Sequence, residues 1–534
     1  MKAMRKRFDF NVRMILSALL TVCLFHGSAS DVFAKTQRPN VVLIVCDDLN
    51  DYITGMGGHP QAKTPHLSRL AESGVAFRRA YSNNPVCAPS RSSFLTGIYP
   101  HTSGNLFWSK WYENPVLAGS KTMMKHFRDN GYHVVGSGKL MHHFRGDQWS
   151  EFKHKADYGP FVYDGKNRIA HPSVPRPFND IGAVDGSFAP LSDIPFADDP
   201  SGGKGWIYGT WGKTVPMRYV DKENRDPTPD ERNARWAADR IGRFAAEKSD
   251  QPFFLGVGFI RPHTPLHVPK RFFDMFPKET LKLPVIKSDD ANDCHYLDVF
   301  DADQKGPKYF RLLKESYPNL EEGLKAFTQA YLASIAAVDE CIGEVVAAID
   351  RSPFRENTII VVTSDHGWNM GEKDYLFKNA LWEESTRVPL VVRAPGVSAS
   401  GHVAEHPVSL IDIYPTLVDL CDLQGDTRLN SEGAPLDGHS LRPFLVDPKT
   451  ETWAGPNAAL TMVFAGPASK NKIDRQHWSL RTKGWRYILY GNRGEELYDH
   501  NADPYEWTNL ADDPQYSEVK AELKANLRRR IDLQ

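Results

Sequence analysis

The sequence predicts an α/β fold: a large mixed, mostly parallel sheet sandwiched by helices, then a smaller C-terminal α+β subdomain carrying an antiparallel sheet. Three observations predict it. Short continuous apolar runs rich in β-branched residues fit strands buried on both faces. Stretches with 3- and 4-residue apolar spacing, the signature of helices, lie between those runs. Beyond about residue 450 the texture changes to short aromatic-rich segments joined by a tight turn.

The first strand is Asn40-Val41-Val42-Leu43-Ile44-Val45-Cys46. Thr358-Ile359-Ile360-Val361-Val362-Thr363 and Pro389-Leu390-Val391-Val392 have the same texture, and Phe253–Gly258 and His133–Gly136 supply two more strands. Residues 323–350 place Leu324, Tyr331, Ile335, Val338, Ile342 and Val345 on one helical face. Residues 229–247 form another helix, with Asp230 and Glu231 in its first turn, where the helix dipole favours acids. Residues 150–222 are rich in Pro, Gly, Asp and aromatics without a period, as expected of a binding loop or lid. Residues 477–481 and 485–490 read as antiparallel strands turning near Thr482-Lys483-Gly484, and 515–532 as a closing charged helix. The expected domains are a catalytic unit over 35–450 and a C-terminal subdomain over 451–534.

Residues 1–34 form a secretory leader. Lys2, Arg5, Lys6, Arg7 and Arg13 precede the 12-residue apolar run Met14–Phe25, and small residues follow, with cleavage after Ser30 or Ala34. The run is short for a membrane span of about 30 Å, although an uncleaved anchor is the alternative. No other apolar run approaches 18 residues, so the mature chain is expected to be exported to a periplasmic or extracellular location, or to a lysosome-like compartment, and to stay off the membrane. The 534 residues are 41% hydrophobic and 25% charged, which excludes fibrous, disordered and multi-span classes. Their 65 basic and 66 acidic residues exclude a nucleic-acid binder that relies on a basic excess. Six cysteines cannot form a disulfide scaffold.

The chemistry sits at strand ends, where open α/β sheets bind ligands. The first strand ends in Cys46-Asp47-Asp48, and the strand over 358–363 runs into Ser364-Asp365-His366-Gly367. Three crowded carboxylates need a cation to offset their repulsion. Oxygen donors select a hard ion, Ca²⁺ or Mg²⁺, while His366 slightly favours a transition metal such as Mn²⁺ or Zn²⁺. Without the second strand, Asp47 and Asp48 would read as turn residues. Cys87 precedes Ala88-Pro89-Ser90-Arg91, which can start a helix. It is either a small buried hydrophobe or a group in a positive environment suited to an anion or a nucleophile.

Cys87-Ala88-Pro89-Ser90-Arg91, followed by Leu95-Thr96-Gly97, resembles the C-x-P-S-R signature of type I sulfatases, enzymes of the alkaline-phosphatase-like superfamily. Gly138-Lys139-Leu140-Met141-His142 and Arg261-Pro262-His263-Thr264-Pro265 resemble segments of the iduronate-2-sulfatase branch. Asp365-His366-Gly367 and Lys378 follow in the family's order, and residues 496–510 resemble its C-terminal tail. The resemblance covers roughly residues 38–515. It implies that a maturation enzyme oxidises Cys87 to Cα-formylglycine, and that Asp47, Asp48, residue 87, Asp365 and His366 hold one divalent ion. It also implies that Arg91, Lys139 and Lys378 face the anion, that His263 with Lys378 serves the leaving oxygen, and that His142 with Lys139 serves the residue-87 hydroxyl. The family spacing alone separates His142 from His143.

A hydrated aldehyde suits this chemistry. One hydroxyl attacks sulfur and expels the alcohol, and loss of the second hydroxyl's proton then releases sulfate and restores the aldehyde. His133, His143, His267 and His295 are expected to be structural or surface residues. Cys46 is expected to be a packed strand residue, and Cys294, Cys341 and Cys421 buried thiols, with one disulfide among them allowed by export. The expected substrate is a sulfated carbohydrate, either glycosaminoglycan-like or algal, with a 2-O-sulfated uronic acid favoured. Trp149, Tyr158, Phe161, Tyr163, Trp206, Tyr208 and Trp211 either stack on sugar rings or pack the loop. The alternatives are a phosphatase or phosphonate hydrolase of the same superfamily, which usually uses Thr or Ser as nucleophile, and a non-catalytic carbohydrate-binding relative.

Overall fold

A computed structural model of the chain describes residues 38–194, 203–210, 213–470 and 472–531. The leader and Trp211 lie outside the described residues.

Eight strands form the central sheet: β1 (Asn40–Asp47), β2 (Val75–Phe77), β3 (His133–Gly138), β4 (Glu151–Phe152), β5 (Phe253–Pro262), β6 (Thr358–Ser364), β7 (Leu390–Arg393) and β8 (His402–Ala404). Their order is β8-β2-β7-β6-β1-β5-β3-β4. Only β7 runs antiparallel to its neighbours, β6 and β2. β1 lies between β6 and β5 and pairs in parallel with both, which is why it reads as an unbroken apolar run. Its side chains alternate between two cores. Val42 and Ile44 face helices α2 (Pro229–Glu247) and α3 (Leu320–Asp350), while Val41, Leu43 and Val45 face Phe94 and Leu95 of helix α1 (Cys87–Thr96). Each of these fully buried side chains contributes roughly 1.5–3 kcal/mol. A capping box of Thr228 and Glu231 fixes where α2 starts.

The C-terminal part is a four-stranded antiparallel sheet, β9 (Ala459–Val463), β10 (His477–Arg481), β11 (Trp485–Leu489) and β12 (Glu495–Asp499), with helix α4 (Ser517–Arg530) packed on it. Strand β9 is stitched to the segment just before α1: Met462 N donates to Asn83 O at 3.0 Å, and Thr461 Oγ1 donates to Ser82 O at 2.6 Å.

Residues 150–222 fold more than their composition suggests. Phe161–Tyr163, Arg168–Ile169 and Gly205–Ile207 form a small sheet. Trp206 and Tyr208 fill its core with Leu191 and Met217, and Trp149 packs beneath the central sheet, so these three aromatics are packing residues. Among the described residues no cysteine is in a disulfide. No described helix is long and apolar enough to cross a membrane.

Candidate active site

The carboxyl ends of β1, β6, β3 and β5 meet the start of α1. Two backbone features aim the β1 acids. The pairing of β1 with β5 slips between Val45 and Asp47, and Asp48 adopts φ +64°, a left-handed conformation that Asp tolerates better than most residues. Asp47 and Asp48 thus both turn toward the site. The hydroxyl of Tyr331, on α3, donates to Asp48 O at 2.6 Å and accepts from Asn50 N at 3.1 Å, holding this turn.

Cys87 opens α1 and is buried. Its Sγ lies 3.1 Å from Lys378 Nζ and 3.3 Å from His366 Nε2. One donor atom each from Asp47, Cys87, Asp365 and His366 lie within 4.8 Å of one another, and so do donors from Asp48, Cys87 and His263. Four of the five expected metal ligands therefore converge, and Asp48 joins them only through a second group that shares Cys87. Burial, with Asp47 close by, pushes the Cys87 thiol up despite Lys139 and Lys378. The sequence allowed an activated thiol here; the burial of Cys87 works against activation.

Three cations interleave with the acids. Lys139 Nζ bonds Asp47, and Lys378 Nζ donates to Asp48 Oδ1 at 2.8 Å. Arg91 Nε donates to Asp365 Oδ2 at 2.7 Å, and its remaining donors go to the carbonyls of Cys46, Lys139 and Leu140 and to Asp47. Arg91 is fully buried and saturated, so it positions the carboxylates and does not face an incoming ester. Lys139, Arg91 and Lys378 hold Asp47 well below the usual carboxylate range against its burial. Asp48 is different: burial, with Asp47 beside it, pushes it up to about 8 although Lys378 opposes this. Asp48 Oδ2 is buried without a hydrogen-bond partner. An orphaned oxygen inside a ring of carboxylates, imidazole and residue 87 fits a hard divalent cation.

His263 donates from Nδ1 to Thr264 O at 2.5 Å, which leaves Nε2 unprotonated and 3.9 Å from Asp48 Oδ2. Burial and Lys378 hold its pKa well down. Two buried groups place it: Asp230 accepts from Ile260 N and Arg261 N at 2.8 and 2.9 Å, and Arg261 donates to His263 O at 3.1 Å. Gly138 lets the chain turn toward Lys139. Its φ is +87°, and a Cβ there would sit 1.9 Å from Gly258 O.

His142 and Lys139 line one cavity of about 360 Å³ with Tyr158, Phe161, Arg168 and Val184. His142 Nδ1 is buried without a hydrogen-bond partner, and burial and Lys139 hold the ring down at about 3, as a neutral base. His143 does not line this cavity. His267 is tied to Ser187 and Pro160 O, as a structural histidine.

Sequence reasoning missed four supports. Ser82 and Ser90 both donate to Asp365 O at 2.6 Å. Ser90 lies inside the C-x-P-S-R segment, so a signal was present; Ser82 carried none. Asp230 read as a dipole acid and Tyr331 as a core residue. Glu383, His500 and Glu506 also converge, but Arg486 and Arg481 already supply their positive charge.

Comparison with known proteins agrees with this geometry. Residues 39–423 match the Sulfatase family, and residues 371–532 match the family described as N-sulphoglucosamine sulphohydrolase, C-terminal. A "Sulfatase" of Formosa agariphila is 31% identical over 520 residues, covering 95% of this chain and 90% of that protein. Iduronate 2-sulfatase of Mus musculus is 26% identical over 568 residues, covering 94% and 96%. A solved structure described in complex with its substrate D-glucosamine-2-N,6-O-disulfate shares the fold at a TM-score of 0.64 and 19% identity, covering 93% of this chain and 98% of that one. A match over most of its length, joined to a cysteine set among acids, lysines and histidines at the rim of the sheet, places this chain in the sulfatase family as a sulfuric ester hydrolase.

Proposed function

We propose that the protein is an exported sulfatase acting on sulfated carbohydrate, with Cys87 converted to formylglycine by a maturation enzyme and one divalent ion, Ca²⁺ by its oxygen-rich donor set, held by Asp47, Asp48, residue 87, Asp365 and His366. The observation that carries this reading is the position of Cys87. Its side chain sits among the metal-type donors and within reach of Lys378, yet burial pushes the thiol's pKa up, toward the protonated form. A thiol in that state is a poor nucleophile. Formylglycine supplies a hydrated aldehyde there, and the ion supplies charge that polarises it and the ester.

The chain's own residues then have defined work. Lys139 and Lys378, both protonated, bring positive charge to the anionic ester, and preorganised charge is usually the largest catalytic term. In this reading neutral His142 takes a proton near residue 87, and protonated Lys378, with His263 beside it, serves the leaving oxygen. Arg91, Ser82, Ser90 and Tyr331 hold the acids in place. The cavity beside Lys139 and His142 has aromatic walls from Tyr158 and Phe161 and is of a size that suits a sugar ring. A 2-O-sulfated uronic acid is the favoured substrate, with Arg168 available to its carboxylate.

A phosphatase or phosphonate hydrolase is the weaker reading, because the nucleophile position carries Cys in C-x-P-S-R. Mass spectrometry of the Cys87 peptide, from a host with the maturation enzyme, is expected to show formylglycine. Sulfate release from defined sulfated oligosaccharides is expected to exceed release from aryl sulfates. An active enzyme with an unmodified thiol overturns the mechanism, and turnover of aryl sulfates alone overturns the carbohydrate reading.

A further inference from the structure

A second cavity, of about 450 Å³, adjoins the one at Lys139 and His142, and Ala156 lines both. Its walls carry Lys153, His154, Lys155 and Arg232, with Asp157 as the one acid. That acid is already engaged: Asp157 Oδ1 accepts from Gly159 N at 2.9 Å and from Gly209 N at 2.5 Å. Among the described residues, Lys153, Lys155 and Arg232 have no carboxylate at ion-pair distance; Lys155 lies over Phe144 and Arg232 over Tyr208. The positive potential reaches His154, which burial, Arg232 and Lys153 together hold down at about 4.

The patch is rigidly placed relative to the reacting centre. Lys153 N donates to Gly136 O at 2.9 Å, Gly138 N donates to His154 O at 2.7 Å, and His154 N donates to Ser137 Oγ at 3.3 Å. Residues 153–154 are therefore bonded to the end of β3, whose next residue is Lys139. Charge clustered this way is conspicuous in a chain with a net charge of −1, and it sits beside a cavity that takes the sugar under attack.

We propose that this second cavity is an anion subsite for a sulfate or carboxylate on the sugar next to the one being desulfated, so that the substrate is a polyanionic oligosaccharide and not an isolated sulfated sugar. This deepens the carbohydrate reading and rests on it. The test compares the wild type with Lys153→Glu/Lys155→Glu on a sulfated tetrasaccharide and on a monosaccharide bearing a single sulfate. The expected result is a KM for the tetrasaccharide raised at least ~10-fold by the double charge reversal with kcat kept, a flatter dependence of that KM on salt, and a monosaccharide KM changed less than ~2-fold. Lys153→Arg/Lys155→Arg is expected to behave as wild type. Equal KM values for the tetrasaccharide in wild type and charge-reversed enzyme overturn the proposal. If the wild type releases no sulfate from either sugar, the carbohydrate reading itself fails. Calorimetric binding of the same tetrasaccharide then reads the subsite separately: weaker binding to the charge-reversed protein supports it, and equal binding overturns it.

Discussion

Two buried charge clusters in this molecule use the same residue types to opposite ends. At the sheet rim, Asp47, Asp48 and Asp365 meet Arg91, Lys139 and Lys378. Beneath the C-terminal sheet, Glu383 and Glu506 meet Arg481, Arg486, Arg387 and His500. The second cluster is closed. Glu383 takes Tyr81 Oη at 3.0 Å and Arg481 Nε at 3.1 Å and also pairs with Arg486, while Glu506 takes His500 Nε2 at 2.8 Å and Glu383 N at 3.1 Å. Every oxygen of those two carboxylates has a donor. The first cluster is open: Asp48 Oδ2 has no hydrogen-bond partner, and a cysteine intrudes among the donors. Satisfied buried charge fixes a structure, whereas an unsatisfied oxygen leaves a place for a ligand.

The contrast can be broken experimentally. Cys87→Ala is expected to lower the rate of sulfate release by on the order of 10⁴-fold or more, as loss of a nucleophile does elsewhere. Its unfolding temperature should stay near that of wild type, as measured by calorimetry. Chelator treatment is expected to abolish activity and lower the unfolding temperature, because the acids at the sheet rim then repel one another without the cation; restored divalent ion should recover both. Arg486→Met removes the hub of the closed cluster and should destabilise folding by about 3–5 kcal/mol, since it strands Glu383 and Glu506. Activity per folded molecule should hardly change, and a drop in kcat without a stability loss would erase the distinction between the clusters.

The pH dependence sharpens it further. Arg486 and His500 hold Glu506 down at about 2 against its burial. A carboxyl depressed in the folded state stabilises above its unfolded range and loses that contribution as pH falls toward its folded value. Stability should therefore fall between about pH 4.5 and pH 2, and Glu506→Gln should flatten that slope in acid-denaturation curves. Tyr331→Phe, the mildest change, removes the two hydrogen bonds that the hydroxyl makes with Asp48 O and Asn50 N. It should cost about 1–3 kcal/mol of stability, with a modest fall in activity.

Much of the fold was legible because its signals are local. The β1 and β6 runs announce strands buried on both faces, and the 3- and 4-residue spacing of 323–350 lies within the helix observed over Leu320–Asp350. The loop over 150–222 was not legible, because its small sheet is held by pairing between Phe161–Tyr163 and Gly205–Ile207, some 40 residues apart. Its tryptophans look alike in sequence, and only burial shows Trp206 to be core.

For the site, the sequence by itself named the candidate residues: Asp47, Asp48, Cys87, Lys139, His142, His263, Asp365, His366 and Lys378. Short motifs carry them, and motifs are local. Only the tertiary structure decided what each one faces. It set Arg91 as a clamp on Asp365 and Asp47, brought His142 and not His143 to the cavity wall, and enlisted Tyr331, Ser82 and Asp230 from distant segments. The physical reason is that charge and hydrogen bonding act through space over a few ångströms. Whether a buried oxygen is satisfied depends on groups hundreds of residues away, and no stretch of sequence records that distance.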